Sequence, residues 1–234
     1  MYSTREELLN NLFSFKDERR AAFNCRICGG ARKHLGVTLA DLRAIAKREA
    51  TENLYGFLSV LGDDYYEEAM LRGLAIAYAK IPFDEKEKAL FGYITYIDNW
   101  ALVDSSAATL KIKDADKKQY LKLVERLIAD GREFAVRYAF VILLDYYVAE
   151  EYLDYIFTIC DNTPADKYNV SMAVAWLISV CAAHYPEQTE NYLKRAKIDD
   201  FTYNRAVDKI CDSFRTDKQY KERLKQTKRI IKKN

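Results

Sequence analysis

Apolar residues recur along this chain at the three- and four-residue spacing of an α-helix. One example is the set Leu39, Leu42, Ile45 and Ala46, which has charged residues between its members. We expect Thr38 to cap the N-terminus of this helix and Gly36 to lie in the turn before it. Asp84 is the expected cap of a later helix. The same reasoning predicts further helices over about 54–61, 65–80, 86–97, 100–111, 116–129, 132–147, 151–160, 166–184, 187–195, 202–214 and 218–231.

These helices predict an all-α protein, because no strand pair or two-residue hairpin signal competes with them. The clearest breaks lie at Asp130-Gly131 and over 161–164. Two-helix units recur about every 35–45 residues, which favours a HEAT-like helical repeat solenoid, a curved α-α superhelix with a concave face. No linker rich in Gly, Ser or Pro divides the chain. We therefore expect a single HEAT-like repeat domain over 1–234, with a basic C-terminal helix at about 218–231.

Composition supports a globular helical protein and argues against a membrane span. The 234 residues are 50% hydrophobic and 31% charged, and they include only 3 Pro and 8 Gly. The longest apolar stretch, 134–148, is interrupted by Arg137 and Asp145, so it is unsuited to a bilayer. The first residues are acidic and polar rather than typical of a signal peptide. We expect a cytoplasmic protein, monomeric and without a membrane partner.

The charge and the cysteines leave alternatives open. The net charge is +2, but residues 218–233 carry eight basic residues and one acid, Glu222. That segment is either a phosphate-contacting tail or a solvated helix whose basic end suits its dipole. Cys25-x-x-Cys28 is formally a metal or redox motif, yet zinc needs four ligands and the only histidines are His34 and His184. The structural reading is favoured here, and we expect neither a metal nor a cofactor.

Four polar or aromatic residues inside apolar helices are the candidates for chemistry. Trp100 and Asp104 lie four residues apart and would share one helix face. Arg137 begins an apolar run, and Trp176 lies among small residues. Indole faces attract a cationic ring, a carboxylate stabilises positive charge that develops on a sugar, and a guanidinium binds phosphate.

Each of these residues also has an ordinary structural interpretation. A tryptophan in an apolar helix belongs to the core more often than not. Asp104, which precedes two serines, could cap a helix, and Arg137 could pair with Asp145 or Asp104. The four residues alone therefore do not assign an enzyme.

Taken in order along the chain, several segments resemble the signature blocks of the AlkD-like DNA alkylation repair enzymes, a family of HEAT-like repeat DNA glycosylases. The resemblance extends from about residue 20 to about 215. Its segments are Gly36-Val37-Thr38 with Asp41-Leu42-Arg43, Asn99-Trp100-Ala101-Leu102-Val103-Asp104-Ser105, the Val136-Arg137 helix, Met172-Ala173-Val174-Ala175-Trp176, Asp200-Phe201-Thr202-Tyr203-Asn204-Arg205-Ala206 and Lys209-Ile210-Cys211.

The resemblance implies a solenoid that holds duplex DNA and hydrolyses the N-glycosidic bond of cationic N3- or N7-alkylated purines. It makes Asp104 the catalytic carboxylate and places Trp100 and Trp176 around a lesion that stays in the duplex. It makes Arg137 a contact with the DNA backbone. Thr38, also a candidate contact, stands where the glycosylase that names the family has Gln.

Two other functions remain open. One is a catalytically silent HEAT-like module that binds DNA or another partner on its concave face. Burial of both indoles in the core would favour that module. The other is a metal or thiol protein built on Cys25 and Cys28, which would require bound zinc or a low-potential disulfide.

Overall fold

A computed structural model describes residues 1–230, and the prediction of an all-α protein is confirmed. Within that range the regular elements are fourteen α-helices and two short 3-10 helices, Asp114–Asp116 and Glu150–Tyr152. The α-helices are α1 (Arg5–Ser14), α2 (Glu18–Cys28), α3 (Leu39–Glu52), α4 (Leu54–Val60), α5 (Tyr66–Tyr78), α6 (Phe83–Ile94), α7 (Trp100–Ala107), α8 (Lys117–Asp130), α9 (Glu133–Tyr146), α10 (Leu153–Asn162), α11 (Tyr168–His184), α12 (Pro186–Leu193), α13 (Asp200–Asp212) and α14 (Lys218–Lys225).

The helices group into two compact units, Met1–Lys117 and a second that begins at Lys118. In the first unit α5 is the central helix and packs against α3 and α7. In the second unit α11 has the same place and packs against α9 and α13. Both central helices are buried on nearly every side, and α5 buries the charged residues Glu67, Glu68 and Arg72 among its apolar ones. A single domain and a curved solenoid stay predictions.

Two buried glutamates on α5 connect the N-terminal segments of the first unit to its central helix. The Glu67 carboxylate is fully buried and accepts hydrogen bonds from the backbone N–H of Leu35 at 3.0 Å and of Gly36 at 2.8 Å. Glu68 accepts from the Arg5 guanidinium and from the Gly62 N–H. Buried carboxylates persist when each oxygen has donors like these. The carboxylate of Glu67 therefore fixes the loop that leads into α3.

The N-terminal cap of α3 is confirmed, but the expected cap of α6 is wrong. Thr38 precedes α3, and its side chain accepts from the Asp41 N–H. Helix α6 begins at Phe83 with Pro82 before it, so Asp84 lies inside the first turn. The fixed φ of proline suits a helix entrance, and an acidic residue in the first turn favours the helix dipole.

The basic C-terminal helix is shorter than predicted. Helix α14 ends at Lys225, whereas the prediction extended to 231, which lies outside the described residues. The backbone N–H and C=O of Arg229 both pair with the Asn204 side chain on α13. The Arg229 guanidinium donates to the carbonyls of Ala196 and Ile198. These contacts hold the chain against α13 and replace the hydrogen bonds of a longer helix.

No helix among residues 1–230 is long and apolar enough to cross a membrane. Helices α1 and α2 were not predicted. Every residue of α2 is at least partly exposed.

We predict that Glu67→Ala lowers the free energy of unfolding by about 2–4 kcal/mol, because it leaves buried N–H groups of Leu35 and Gly36 without an acceptor. Urea unfolding followed by circular dichroism measures the change. Glu6→Ala is the matched control on an exposed position of α1 and should cost less than about 0.5 kcal/mol. Equal losses in the two variants would contradict the role of Glu67.

Candidate functional site

Helix α7 carries two of the predicted site residues, and its first turn is fixed by Asn99. The Asn99 Oδ1 accepts hydrogen bonds from the N–H of Ala101 at 3.1 Å and of Leu102 at 3.3 Å. Asn99 is itself buried. Asparagine is among the best N-cap residues because its side chain satisfies backbone donors that the helix leaves unpaired. The position of Trp100, the first residue of α7, is therefore set by this cap.

Trp100 and Asp104 lie one turn apart on the same face of α7. The Trp100 side chain is exposed, with 37% of its surface accessible, and Asp104 is half-buried. Leu102, on the opposite face, and Val103 are fully buried. The Trp100 Nε1–H donates a long hydrogen bond of 3.4 Å to the Ile27 carbonyl at the end of α2. An indole and a carboxylate thus share a surface that an incoming molecule can reach.

The side chain of Thr38, the third candidate in the first unit, forms hydrogen bonds at the N-terminus of its own helix, α3. The Thr38 Oγ1 accepts from the Asp41 N–H at 3.1 Å and donates to Asp41 Oδ2 at 2.5 Å. The turn before it is tight because Gly36 has φ +80°, and a Cβ there would lie 2.2 Å from the Asp17 carbonyl oxygen. This geometry fixes the N-terminus of α3 and leaves the Thr38 hydroxyl occupied.

In the second unit Arg137 is buried rather than exposed. Only 5% of its surface is accessible, and its guanidinium donates to the Asn169 carbonyl at 3.0 Å. Glu133, one turn earlier on α9, accepts from the Asn169 backbone N–H and from its side-chain amide. Together the two charged side chains hold the N-terminus of α11 against α9.

Trp176 lies on α11 and is half-buried, on the wall of an open depression of about 690 Å³. Ser179 lines the same depression but is buried, and its hydroxyl donates to the Trp176 carbonyl at 2.7 Å. Serine hydroxyls in helices commonly bond backward in this way. The same depression is lined by two basic residues, Lys209 of α13 and Arg215, and by two acidic residues, Asp145 and Asp212.

The candidates thus divide between the two units. Trp100 and Asp104 share one helix face, and Thr38 lies elsewhere in the first unit. Arg137 and Trp176 lie in the second unit. Sequence reasoning missed the Ile27 carbonyl beside Trp100 and the basic residues beside Trp176. Lys209 belongs to the Lys209-Ile210-Cys211 segment identified in the sequence. The contact of Trp100 with Ile27 involves a backbone carbonyl, which no pattern of side chains could have indicated.

The cysteines of the Cys25-x-x-Cys28 motif lie at the end of α2 as free thiols. Cys25 is exposed and Cys28 is half-buried. Burial raises the pKa of the Cys28 thiol, and the neighbouring Cys25 raises it further. A raised pKa disfavours the reactive thiolate at neutral pH. Among residues 1–230 no three His, Cys, Asp or Glu side chains are grouped so that they could hold a metal ion.

Comparison with known proteins adds one match. The model of a family described as DNA alkylation repair enzyme matches residues 8–227, nearly the whole chain. A search among curated proteins finds no match.

We predict that Asn99→Ala lowers the free energy of unfolding by about 1 kcal/mol, because α7 loses the acceptor for its first two free N–H groups. Asn99→Ser is the control, since serine caps helices about as well and should recover much of that loss. Urea unfolding of both variants provides the measurement. Equal destabilisation by alanine and serine would show that the cap is not what Asn99 contributes.

Proposed function

The chain belongs to the DNA alkylation repair enzyme family, and from this membership we propose that it is a DNA glycosylase for cationic N3- and N7-alkylated purines in duplex DNA. The observation that carries the proposal is the pair on α7. An accessible indole and a half-buried carboxylate lie one turn apart on one face, at Trp100 and Asp104.

The proposed reaction needs only water and the electrostatic help of Asp104. The bond between the sugar C1′ and the base nitrogen breaks, and the base takes the electron pair. Because the alkylated base begins as a cation, it leaves neutral and needs no general acid. Positive charge develops on the sugar, where a carboxylate stabilises it. The oxygen of a water molecule then bonds to C1′ and loses a proton.

The two indoles suit the charge of such a lesion. A tryptophan face attracts a cation through its quadrupole, by about 0.5–2 kcal/mol depending on desolvation. Trp100 is exposed and Trp176 is half-buried, so neither indole is enclosed in the core. Burial of both was the arrangement that would have favoured a silent binding module. Partial exposure of both supports a role in contacting a ligand.

Contact with the DNA backbone is assigned mainly to basic residues of the second unit. Lys209 and Arg215 line the depression that holds Trp176, and we propose that they contact phosphate there although Asp145 and Asp212 line it too. Arg137 is proposed to contact the backbone as well, with Asn169 holding one of its nitrogens. Thr38 is proposed as a lesser contact with DNA, because its hydroxyl already donates a hydrogen bond to Asp41.

A second function is favoured by the state of Arg137 and Thr38. Both side chains are engaged within the protein, as they would be in a helical-repeat module that binds DNA or another partner without cutting it. Fold and family membership do not separate this module from a glycosylase. A direct assay of base release does.

We predict that Asp104→Asn lowers the rate of 7-methylguanine release from methylated duplex DNA by about 100-fold or more, because the neutral amide no longer stabilises charge on the sugar. Chromatography of the released base measures the rate. Asp114→Asn is the control, since the Asp114 side chain is 96% exposed, and it should leave the rate unchanged. No release by the folded wild-type protein would exclude the glycosylase in favour of the silent module.

We also predict that release depends on the charge of the lesion. 7-Methylguanine and 3-methyladenine, both cationic in DNA, should be released, whereas hypoxanthine, which is neutral, should remain. The reason is that neutral bases leave poorly without a general acid. Duplexes that carry each lesion in the same sequence provide the comparison. Release of hypoxanthine at a similar rate would require a proton donor and would contradict the mechanism.

A further inference from the structure

Asp98 joins the N-terminus of α7 to the segment that follows α2. Its carboxylate accepts hydrogen bonds from the Ala31 backbone N–H at 3.0 Å and from the Asn99 side-chain amide at 2.8 Å. It also forms an ion pair with the Arg32 guanidinium at 2.9 Å. Asn99 is the cap of α7. One carboxylate therefore connects a loop 67 residues away in sequence to the cap of the helix that carries Trp100 and Asp104.

The close approach of that loop depends on Gly30. Gly30 has φ +93°, which only glycine adopts readily, and a Cβ at this position would lie 2.9 Å from Asp98 Oδ2. Its neighbour Gly29 also has a positive φ, of +68°, but a Cβ there would meet nothing within 4 Å. The two glycines thus differ in whether a side chain would touch Asp98.

The position of the loop also determines what the Trp100 indole contacts. The Trp100 Nε1–H donates to the carbonyl of Ile27 in the last turn of α2. Carbonyls in the last turn of a helix have no N–H donor within the helix. Helix α2 ends at Cys28, and the loop held by Asp98 begins directly after it. The indole ring is therefore oriented by a backbone group whose place depends on this loop.

The charge of Asp98 is already compensated. Arg32, which is only 10% exposed, lies between the carboxylates of Asp98 and Asp63, and its Nε–H donates to Asp63 at 2.7 Å. The Asp98 carboxylate thus has an ion pair and two hydrogen bonds within the protein. These contacts suit a residue that holds the loop in place rather than one that reacts with a substrate.

We propose that Asp98 is a positioning residue that keeps the end of α2 against α7 and so fixes the orientation of the Trp100 indole. Its effect on base release rests on the proposed function. Its effect on the indole does not, and this difference allows the two ideas to be tested separately.

The experiment uses the full chain with Trp176→Phe, so that Trp100 is the only tryptophan. Asp98→Ala in this background should shift the emission maximum to the red, lower the fluorescence anisotropy and increase quenching by acrylamide. In the protein with both tryptophans, Asp98→Ala should lower kcat for 7-methylguanine release by about 10- to 100-fold, the usual effect of misplacing a site group by about 1 Å. KM should change little.

Gly30→Ala provides a second variant, which keeps the Asp98 carboxylate but displaces it through contact with the added methyl group. It should reproduce the changes in Trp100 fluorescence. Gly29→Ala, the matched control, also places alanine at a positive φ but without a contact to Asp98, so it should change the spectrum less. Circular dichroism checks that each variant is folded. This pair keeps the test informative if Asp98→Ala fails to fold.

An unchanged Trp100 spectrum in folded Asp98→Ala or Gly30→Ala would overturn the proposal, even if base release fell. A changed spectrum in Gly29→Ala, equal to that of Gly30→Ala, would also overturn it, since contact with Asp98 would then be irrelevant. A larger change in Gly30→Ala than in Gly29→Ala supports it. If the parent protein releases no base, the fluorescence result still decides the positioning role, and only the proposed function fails.

Discussion

The hydrogen bonds from the Leu35 and Gly36 amides to the buried Glu67 carboxylate are the constraint on which the first unit depends. Glu67 belongs to α5, the central helix, so the loop is tied to the best-buried part of the unit. From that point the chain continues directly into α3, and Gly36 packs against α2. A buried charge with complete partners is costly to disturb in a way that an apolar contact is not. The N-terminus of α3 and the start of α2 therefore depend on this anchoring.

The residues with proposed roles are those that depart from ordinary helix design. Trp100 is exposed where a core residue would be covered, and Arg137 is buried where an arginine would be solvated. Asp104 lies on a helix whose buried residues are all apolar except Ser106. In the second unit, Ser179 turns its hydroxyl to the backbone, and the basic groups beside Trp176 come from other parts of the chain. Departures of this kind are typical of sites that bind or react.

Local signals in the sequence were enough to predict the helices from α3 onward, because apolar periodicity and capping depend on neighbours within one or two turns. Thr38 is the clearest example. The same signals could not reveal α2, which has no buried residue, or the end of α14, which is decided by Asn204 and Arg229 from separate helices and loops.

Among the site residues, the pairing of Trp100 with Asp104 follows from spacing alone, whereas the burial of Arg137 depends on Asn169, 32 positions away. Family membership was recognisable because its segments are short and ordered along the chain.

The partner of the Trp100 indole is a main-chain carbonyl, and this has a consequence for how such surfaces diverge. Every amino acid at position 27 supplies the same oxygen, so the side chain there is free to vary without loss of the contact. Comparison of side chains among relatives would then show a variable position beside an important ring. The restraint on the Trp100 indole depends on the path of the backbone. Only the residues that determine that path would therefore be conserved because of it.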